Sequence, residues 1–447
     1  MDILNISPID GRYQKKTKIL KDYFSEYGLI KYRLTIEIKY LIFLLGRINT
    51  NTITNNQINN IASIIYNFNY KEAIAIKNYE KKCNHDVKSV EYFIRDKLKH
   101  INLSNLNCFI HFGLTSQDIN NMAITLSIKD CINDIYIKKI NEIISFIDKV
   151  SNDWKNIVII AKTHGQPANP TTLGKEFKVF SYRLNKQLDI LKNTKYYGKF
   201  GGAVGNINAH YFAYPNINWD EEFDCFVNDF GLIREKYTTQ IDNYENLAVI
   251  FDCLRRINTI LIDFNRDIWG YISFNYFTLK FSENEVGSST MPQKINPINF
   301  ENSEGNLMIC NSLLDFMSNK LPVSRFQRDL TDSTVLRNVG TIFGHIMISF
   351  ENILYGLSKL TPNEEIIKQE LNTNYSVLSE ALQTILRKNN VENGYEIIKS
   401  HFRNNKTVTK DVFKNIINDL GLDYKEKEKL LNLTHDKYIG NASNIDF

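Results

Sequence analysis

The chain has 447 residues, 43% of them hydrophobic and 23% charged, with a net charge of +4. These proportions are ordinary for a soluble globular protein and supply apolar side chains for several packed layers in two or three domains. The charge is too mild for nucleic-acid binding as the main task, although it suits an anionic small substrate.

Cys83, Cys108, Cys131, Cys225, Cys253 and Cys310 lie far apart, with no C-x-x-C pair and no histidine at zinc-finger spacing, so they read as reduced, mostly buried thiols. The N-terminus lacks a basic region followed by an apolar run, and no stretch is apolar for long enough to span a membrane. A cytoplasmic protein with neither a membrane nor a nucleic-acid partner is expected.

In chain order, Asn5 to Tyr13 form a turn-rich entry in which Pro8 and Gly11 disfavour helix, leaving Arg12 on a loop. Tyr27, Ile30, Leu34, Ile38, Leu41 and Leu45 then recur in steps of three and four, the spacing of one buried helical face. No proline occurs between Pro8 and Pro167, and strand-like alternation is nearly absent there, which predicts an all-α fold. Asn84, His85 and Asp86 precede an amphipathic stripe of Val90, Phe93, Ile94 and Leu98, with Asn84 or Asp86 as the expected N-cap. Thr115 and Ser116 begin a further helix, where they either cap it or donate to a phosphate or carboxylate; composition alone favours the cap.

In Thr163-His164-Gly165-Gln166-Pro167-Ala168-Asn169-Pro170, two prolines and a glycine hold a backbone from which a histidine projects. That suits either a positioned acid–base group or a buried histidine with both nitrogens satisfied. A helix follows, with Leu173, Phe177, Phe180, Leu184, Leu188 and Leu191 on one face. The glycine-rich run Gly198 to Asn206 is like a phosphate cradle only superficially, because no strand precedes it; a close backbone turn is expected.

The strongest periodicity runs through Leu247, Ile250, Leu254, Ile257, Leu261, Phe264, Ile268 and Tyr271. A second runs through Leu336, Val339, Phe343, Ile346, Phe350, Ile353 and Leu357. Both predict helices on the order of 35 Å or longer in a central bundle, with second apolar faces available to other subunits. Between them lies Gly287-Ser288-Ser289-Thr290-Met291-Pro292-Gln293-Lys294-Ile295-Asn296-Pro297, which can present a serine, backbone N–H groups and a cation to an anion at a helix start. Turn-and-cap chemistry is the alternative. Arg325, Arg328 and Arg337, with Ser333 and Thr334, can grip phosphate or carboxylate, or form a solvated cationic loop. After Pro362 the helices shorten.

The pattern Gly287-Ser288-x-x-Met291-x-x-Lys294-x-Asn296 resembles the signature of the fumarase/aspartase superfamily. Ser7-Pro8-x-Asp10-Gly11-Arg12-Tyr13, Asn84-His85-Asp86-Val87-Lys88, Thr115-Ser116-x-Asp118-Ile119-Asn120-Asn121, Thr163-His164-Gly165-Gln166-Pro167-Ala168 and the run Arg328 to Asn338 resemble the adenylosuccinate lyase family within it, in its bacterial branch. The resemblance covers nearly the whole chain.

It implies three helical domains, here 1–111, 112–361 and 362–447, a central long-helix bundle that assembles into a homotetramer core, and sites shared between subunits. It also implies small nucleotide substrates, no cofactor and no metal; adjacent His85 and Asp86 are poorly spaced for one. The implied reaction is β-elimination of fumarate from adenylosuccinate and from succinylaminoimidazole-carboxamide ribotide. Ser288 would be the base and His164 the acid. The implied substrate contacts are Arg12, Tyr13, Asn84, His85, Asp86, Thr115, Ser116, Gln240, Ser289, Lys294, Ile295, Asn296, Asn302, Arg328, Ser333, Thr334, Val335, Leu336 and Arg337. Another fumarate-releasing lyase and a catalytically silent scaffold are the competing readings.

Overall fold

The computed structural model describes residues 3–48, 53–280, 291, 293–403 and 407–444. These residues are predominantly helical, and the apolar seams lie on long helices: Leu173–Asn193, Glu245–Ser273, Ile298–Lys320 and Val339–Lys359. At 1.5 Å per residue, the 29 residues of Glu245–Ser273 extend about 43 Å. The seam from Leu336 to Leu357 is buried throughout, but it is divided. Leu336 ends the short helix Thr331–Leu336, and Val339 opens the next helix.

The chain forms two compact units. One comprises Met1–Ile140, Gln187–Thr259 and Gly305–Glu351; the other comprises Asn141–Lys186, Ile260–Glu304 and Asn352–Phe447.

In the first unit, the helix Glu26–Ile48 is buried along two faces. Ile30, Leu34, Ile38, Leu41 and Leu45 join Ile61, Val90, Phe93, Ile94 and Leu98. Ile36, Tyr40 and Leu44 enter a separate cluster with Ile119, Met122, Phe200, Trp219, Phe223 and Phe226. The aromatic members of that second cluster meet at tilted and edge-on angles, the geometry preferred by their ring quadrupoles, as in Phe200 against Phe223 at 4.9 Å. Buried Arg33 and Glu37 also lie on this helix.

Asn84, at φ 51°, ends the helix Tyr70–Cys83 in the left-handed conformation. The expected cap at Asn84 or Asp86 is instead supplied by His85, whose Nδ1 accepts the Lys88 amide at 3.1 Å. Once Asn84 is spent terminating one helix, the next residue becomes the free position before the other, and an unprotonated ring nitrogen serves where an Asx oxygen usually does.

The second unit departs locally from helix. Val158–Thr163 and Gln166–Thr172 form an antiparallel hairpin. Its two-residue turn is His164-Gly165, with φ 53° and 73°, the positive values of the type I′ turn that matches strand twist. Pro167 lies opposite Lys162, and Pro170 opposite Ile160. Both strands are edges of a two-stranded sheet, so their missing N–H groups are tolerated. The described residues hold two more two-stranded sheets, with strands of two or three residues. Beside the hairpin, Phe177 packs edge-on against Trp154, Phe264 and Phe277, while Ile160 joins an apolar cluster with Leu378, Leu382, Phe413 and Ile417.

Within the glycine-rich run, Gly205 has φ +81°, and a Cβ there would lie 2.2 Å from the Thr238 carbonyl oxygen. Gly205→Ala therefore has both a strained backbone and a backbone clash. A loss of more than about 1 kcal/mol in urea unfolding is expected; a midpoint matching the parent would show that the loop relaxes freely.

Candidate active site

The first unit is organised around a buried carboxylate. Asp118 is the third residue of the helix Ser116–Cys131, and its Oδ2 accepts the Thr115 amide at 2.8 Å, closing the helix start. Its Oδ1 accepts Lys199 Nζ at 2.6 Å and the amides of Gly201 and Gly202 at 2.9 and 3.1 Å. Both side chains of the Asp118–Lys199 pair are 0% exposed. Lys199 Nζ also donates to the Gly202 carbonyl at 2.6 Å, and its amide donates to Asn121 Oδ1. Burial lowers the Lys199 ammonium below its ordinary pKa, against the pull of Asp118. The glycine-rich run is thus a turn wrapped on a protein carboxylate, with the amides of Gly201 and Gly202 already engaged.

From this turn a chain of hydrogen bonds links several predicted contact residues. Gln240 Nε2 donates to the Ala203 carbonyl at 3.0 Å, and Arg328 Nη1 donates to Gln240 Oε1 at 3.0 Å. Arg328 Nη2 and Gln117 Nε2 both donate to Ser333 Oγ, at 3.4 and 3.2 Å. Gln117 adjoins Asp118 on one helix, so the chain of contacts closes on itself. Tyr244 fixes the Ser333 end by donating to Asp332 Oδ2 at 2.9 Å.

A second polar cluster joins Asp86 and Arg337. Arg33 donates to Asp86 Oδ2 at 2.7 Å and to Asn120 Oδ1 at 2.8 Å. Arg337 donates to the same Asp86 oxygen at 3.2 Å and to Glu26 Oε1 at 3.0 Å. Burial raises the Asp86 pKa, but Arg33, the Val87 amide and Arg337 outweigh it and hold the carboxyl below its ordinary value. Arg33, Asp86, Gln117, Ser333 and Arg337 line one pocket.

Arg12 is exposed, with its guanidinium 5.9 Å from the centre of the Tyr13 ring. Thr115 and Ser116 are half-buried at the helix start. Thr334 is exposed, whereas Val335 and Leu336 are buried on the helix Thr331–Leu336.

In the second unit, His164 is exposed at the hairpin turn. Lys294 is exposed, its amide donating to the Met291 carbonyl at 3.0 Å, and Ile295 and Asn296 are half-buried. Asn302 Oδ1 accepts from Asn352 at 2.8 Å. Ser288 and Ser289 lie outside the described residues. Among the described residues no group of three or more His, Cys, Asp or Glu side chains could hold a metal ion, and no helix is long and apolar enough to cross a membrane.

Residues 11–311 match the family described as Lyase, and residues 324–439 match the family described as Adenylosuccinate lyase C-terminal. An adenylosuccinate lyase of Buchnera aphidicola (subsp. Acyrthosiphon pisum) is 45% identical over 444 residues, covering 98% of this chain and 97% of that protein. The chain belongs to the adenylosuccinate lyase family. The family's adenylosuccinate lyase from Dictyostelium discoideum is 46% identical over 448 residues, covering 97% of this chain and 96% of that one. A fumarate lyase from Mesorhizobium sp. BNC1 has the same fold, with a TM-score of 0.75 at 16% identity over 96% of each chain.

Within this adenylosuccinate lyase family member, sequence reasoning missed Arg33, Gln117 and Glu26 as partners of the contact residues Asp86, Ser333 and Arg337, and Lys199 as the partner of Asp118. Arg33 and Glu37, four residues apart on a face that continues to Tyr40 and Leu44, were a readable signal of a buried polar face. Lys199 and Glu26 offered none, since their partners are distant in sequence.

Asp118→Asn leaves Lys199 buried without a counter-charge and is expected to cost about 3–5 kcal/mol in chemical denaturation, with partial recovery in Asp118→Asn/Lys199→Met. Asp242 is buried, and burial, with a smaller contribution from Glu235, raises its carboxyl from 3.8 to about 7 despite the Tyr244 and Asn243 amides and Asn121. Between those values the folded chain holds a proton that the unfolded chain has lost, so this group makes stability fall as pH rises from about 4 to about 7. Asp242→Asn removes that dependence, and its stability relative to the parent should climb over the same interval in urea titrations; a constant difference would refute the assignment.

Proposed function

We propose that this chain carries out its family's reaction with Ser288 as the base and His164 as the acid, in a cytoplasmic homotetramer whose sites are shared between subunits. The reaction is adenylosuccinate lyase activity in purine biosynthesis: fumarate leaves adenylosuccinate to give AMP, and leaves succinylaminoimidazole-carboxamide ribotide to give the carboxamide ribotide. The observation that carries this reading is the extended likeness to adenylosuccinate lyases, which runs through both compact units.

The chemistry sets the requirements. A base removes a weakly acidic proton from the carbon beside a carboxylate; that C–H electron pair forms the new C=C bond, the C–N pair leaves on nitrogen, and an acid protonates the nitrogen. His164 on a two-residue turn is a compact mount for such an acid. Ser288 needs a stabilised alkoxide, for which the backbone N–H groups of its loop and the Lys294 ammonium are the candidates. Donors of this kind are worth about 3–4 kcal/mol each. Arg328 supports an anion-binding role because it is half-buried and its guanidinium is held in one direction by Gln240 and Ser333, a planar cation suited to a phosphate or carboxylate.

Apolar side chains left exposed on the long helices favour subunit contacts. Val179, Tyr182 and Ile190 are exposed on Leu173–Asn193, Val249 and Trp269 on Glu245–Ser273, and Met308, Ile309 and Phe316 on Ile298–Lys320. The division into domains 1–111, 112–361 and 362–447 belongs to the same proposal.

The deciding experiment mixes purified protein with adenylosuccinate and follows the ultraviolet change together with fumarate release, with Ser288→Ala in parallel. Turnover in the parent and a loss of at least about a hundredfold in the variant are expected for removal of the base. A variant that turns over at the parent rate would remove Ser288 from the mechanism; a parent that binds adenylosuccinate without releasing fumarate would point to a silent scaffold.

A further inference from the structure

The His164 hairpin is tied on both strands to the segment that follows Pro362. Lys162, two residues before His164, pairs with Glu370 of the helix Glu364–Thr373, and the Tyr276 hydroxyl donates to the other oxygen of the same carboxylate. The Lys162 side chain is 14% exposed, and its ammonium lies 5.6 and 5.9 Å from the ring centres of Phe274 and Tyr276. On the returning strand, the Asn169 amide donates to Glu380 Oε2, which also accepts the Tyr438 hydroxyl at 2.8 Å. Further along, Thr172 Oγ1 donates to the Ala442 carbonyl at 3.4 Å.

The hairpin needs such ties. A two-stranded ribbon alone is marginally stable. This one shifts register between Ile160 and Lys162 and places Pro167, which has no N–H, opposite Lys162. Its ladder is therefore weakest just before the turn. There the Lys162–Glu370 pair substitutes a charge-assisted contact, largely shielded from solvent and flanked by aromatic rings, for the missing backbone bonds.

We propose that Glu370, acting through Lys162, is a positioning residue that sets the height and tilt of the His164 turn, and that Glu380 steadies the returning strand. The segment after Pro362 then serves as the mount of the acid. This inference rests on the reading of His164 as that acid.

Steady-state kinetics with adenylosuccinate and thermal melting of Glu370→Gln, Lys162→Met, Lys162→Arg and His164→Ala test it. A displacement of the acid by a fraction of an ångström to one ångström predicts a fall in kcat of roughly tenfold to a hundredfold in Glu370→Gln and Lys162→Met, with KM within about twofold and melting close to the parent. Lys162→Arg should restore kcat to within about threefold, since it keeps the charge. Parent-like kcat in Glu370→Gln, or a kcat loss matched by a fall in melting temperature across Glu370→Gln and both Lys162 variants, overturns the positioning role. If His164→Ala turns over at the parent rate, the acid assignment itself falls; if His164→Ala is slow while Glu370→Gln is not, only the positioning role falls.

Discussion

The buried pairing of Asp118 with Lys199 is the contact on which the polar architecture of the first unit depends. Removing two charges from water costs several kcal/mol for each, and their attraction offsets that only when the remaining lone pairs and protons are also satisfied. Here most are: the carboxylate takes the amides of Thr115, Gly201 and Gly202, and the ammonium places a second proton on the Gly202 carbonyl. One side chain therefore closes a helix start and folds a glycine-rich turn at the same time. The pair contributes little as a net source of stability, but it admits few alternative arrangements.

The turn in turn sets the polar side chains above it. Ala203 receives Gln240, Gln240 receives Arg328, Arg328 reaches Ser333, and Ser333 is held from the other side by Gln117. These contacts are half-buried to exposed, so they act by holding one another's geometry more than by their separate strengths. Arg328 is thereby held in one orientation by Gln240 and Ser333. Asp86 does comparable work for Arg337, with Arg33 beneath it as a buried second cation.

Much of this was legible in the chain. The seams from Leu173 to Leu191 and from Leu247 to Ile268 are buried as read, because a helical face repeats every three or four residues and leaves a local trace. The glycine-rich run is the close turn expected, but the expectation that no strand precedes it fails: Tyr197–Gly198 pairs with Ile233–Arg234, a strand too short to leave any alternation in the sequence. The His164 hairpin was not readable: Pro167 and Pro170 break the alternation by which strands are recognised, and the type I′ turn is visible only in its positive φ values. The cap at His85 was missed because local preference favours Asn and Asp, and the competition was settled by Asn84 ending the preceding helix.

The sequence by itself determined the helical class, the faces that enter the core and the motifs that mark the family, since each depends on residues close together in the chain. Only the tertiary structure decided which charges meet. Asp118 and Lys199 are separated by 81 positions, and Gln117 and Ser333 by 216. No periodicity reports such pairs, because the register between distant segments is set by packing and by the need to satisfy every buried polar group at once.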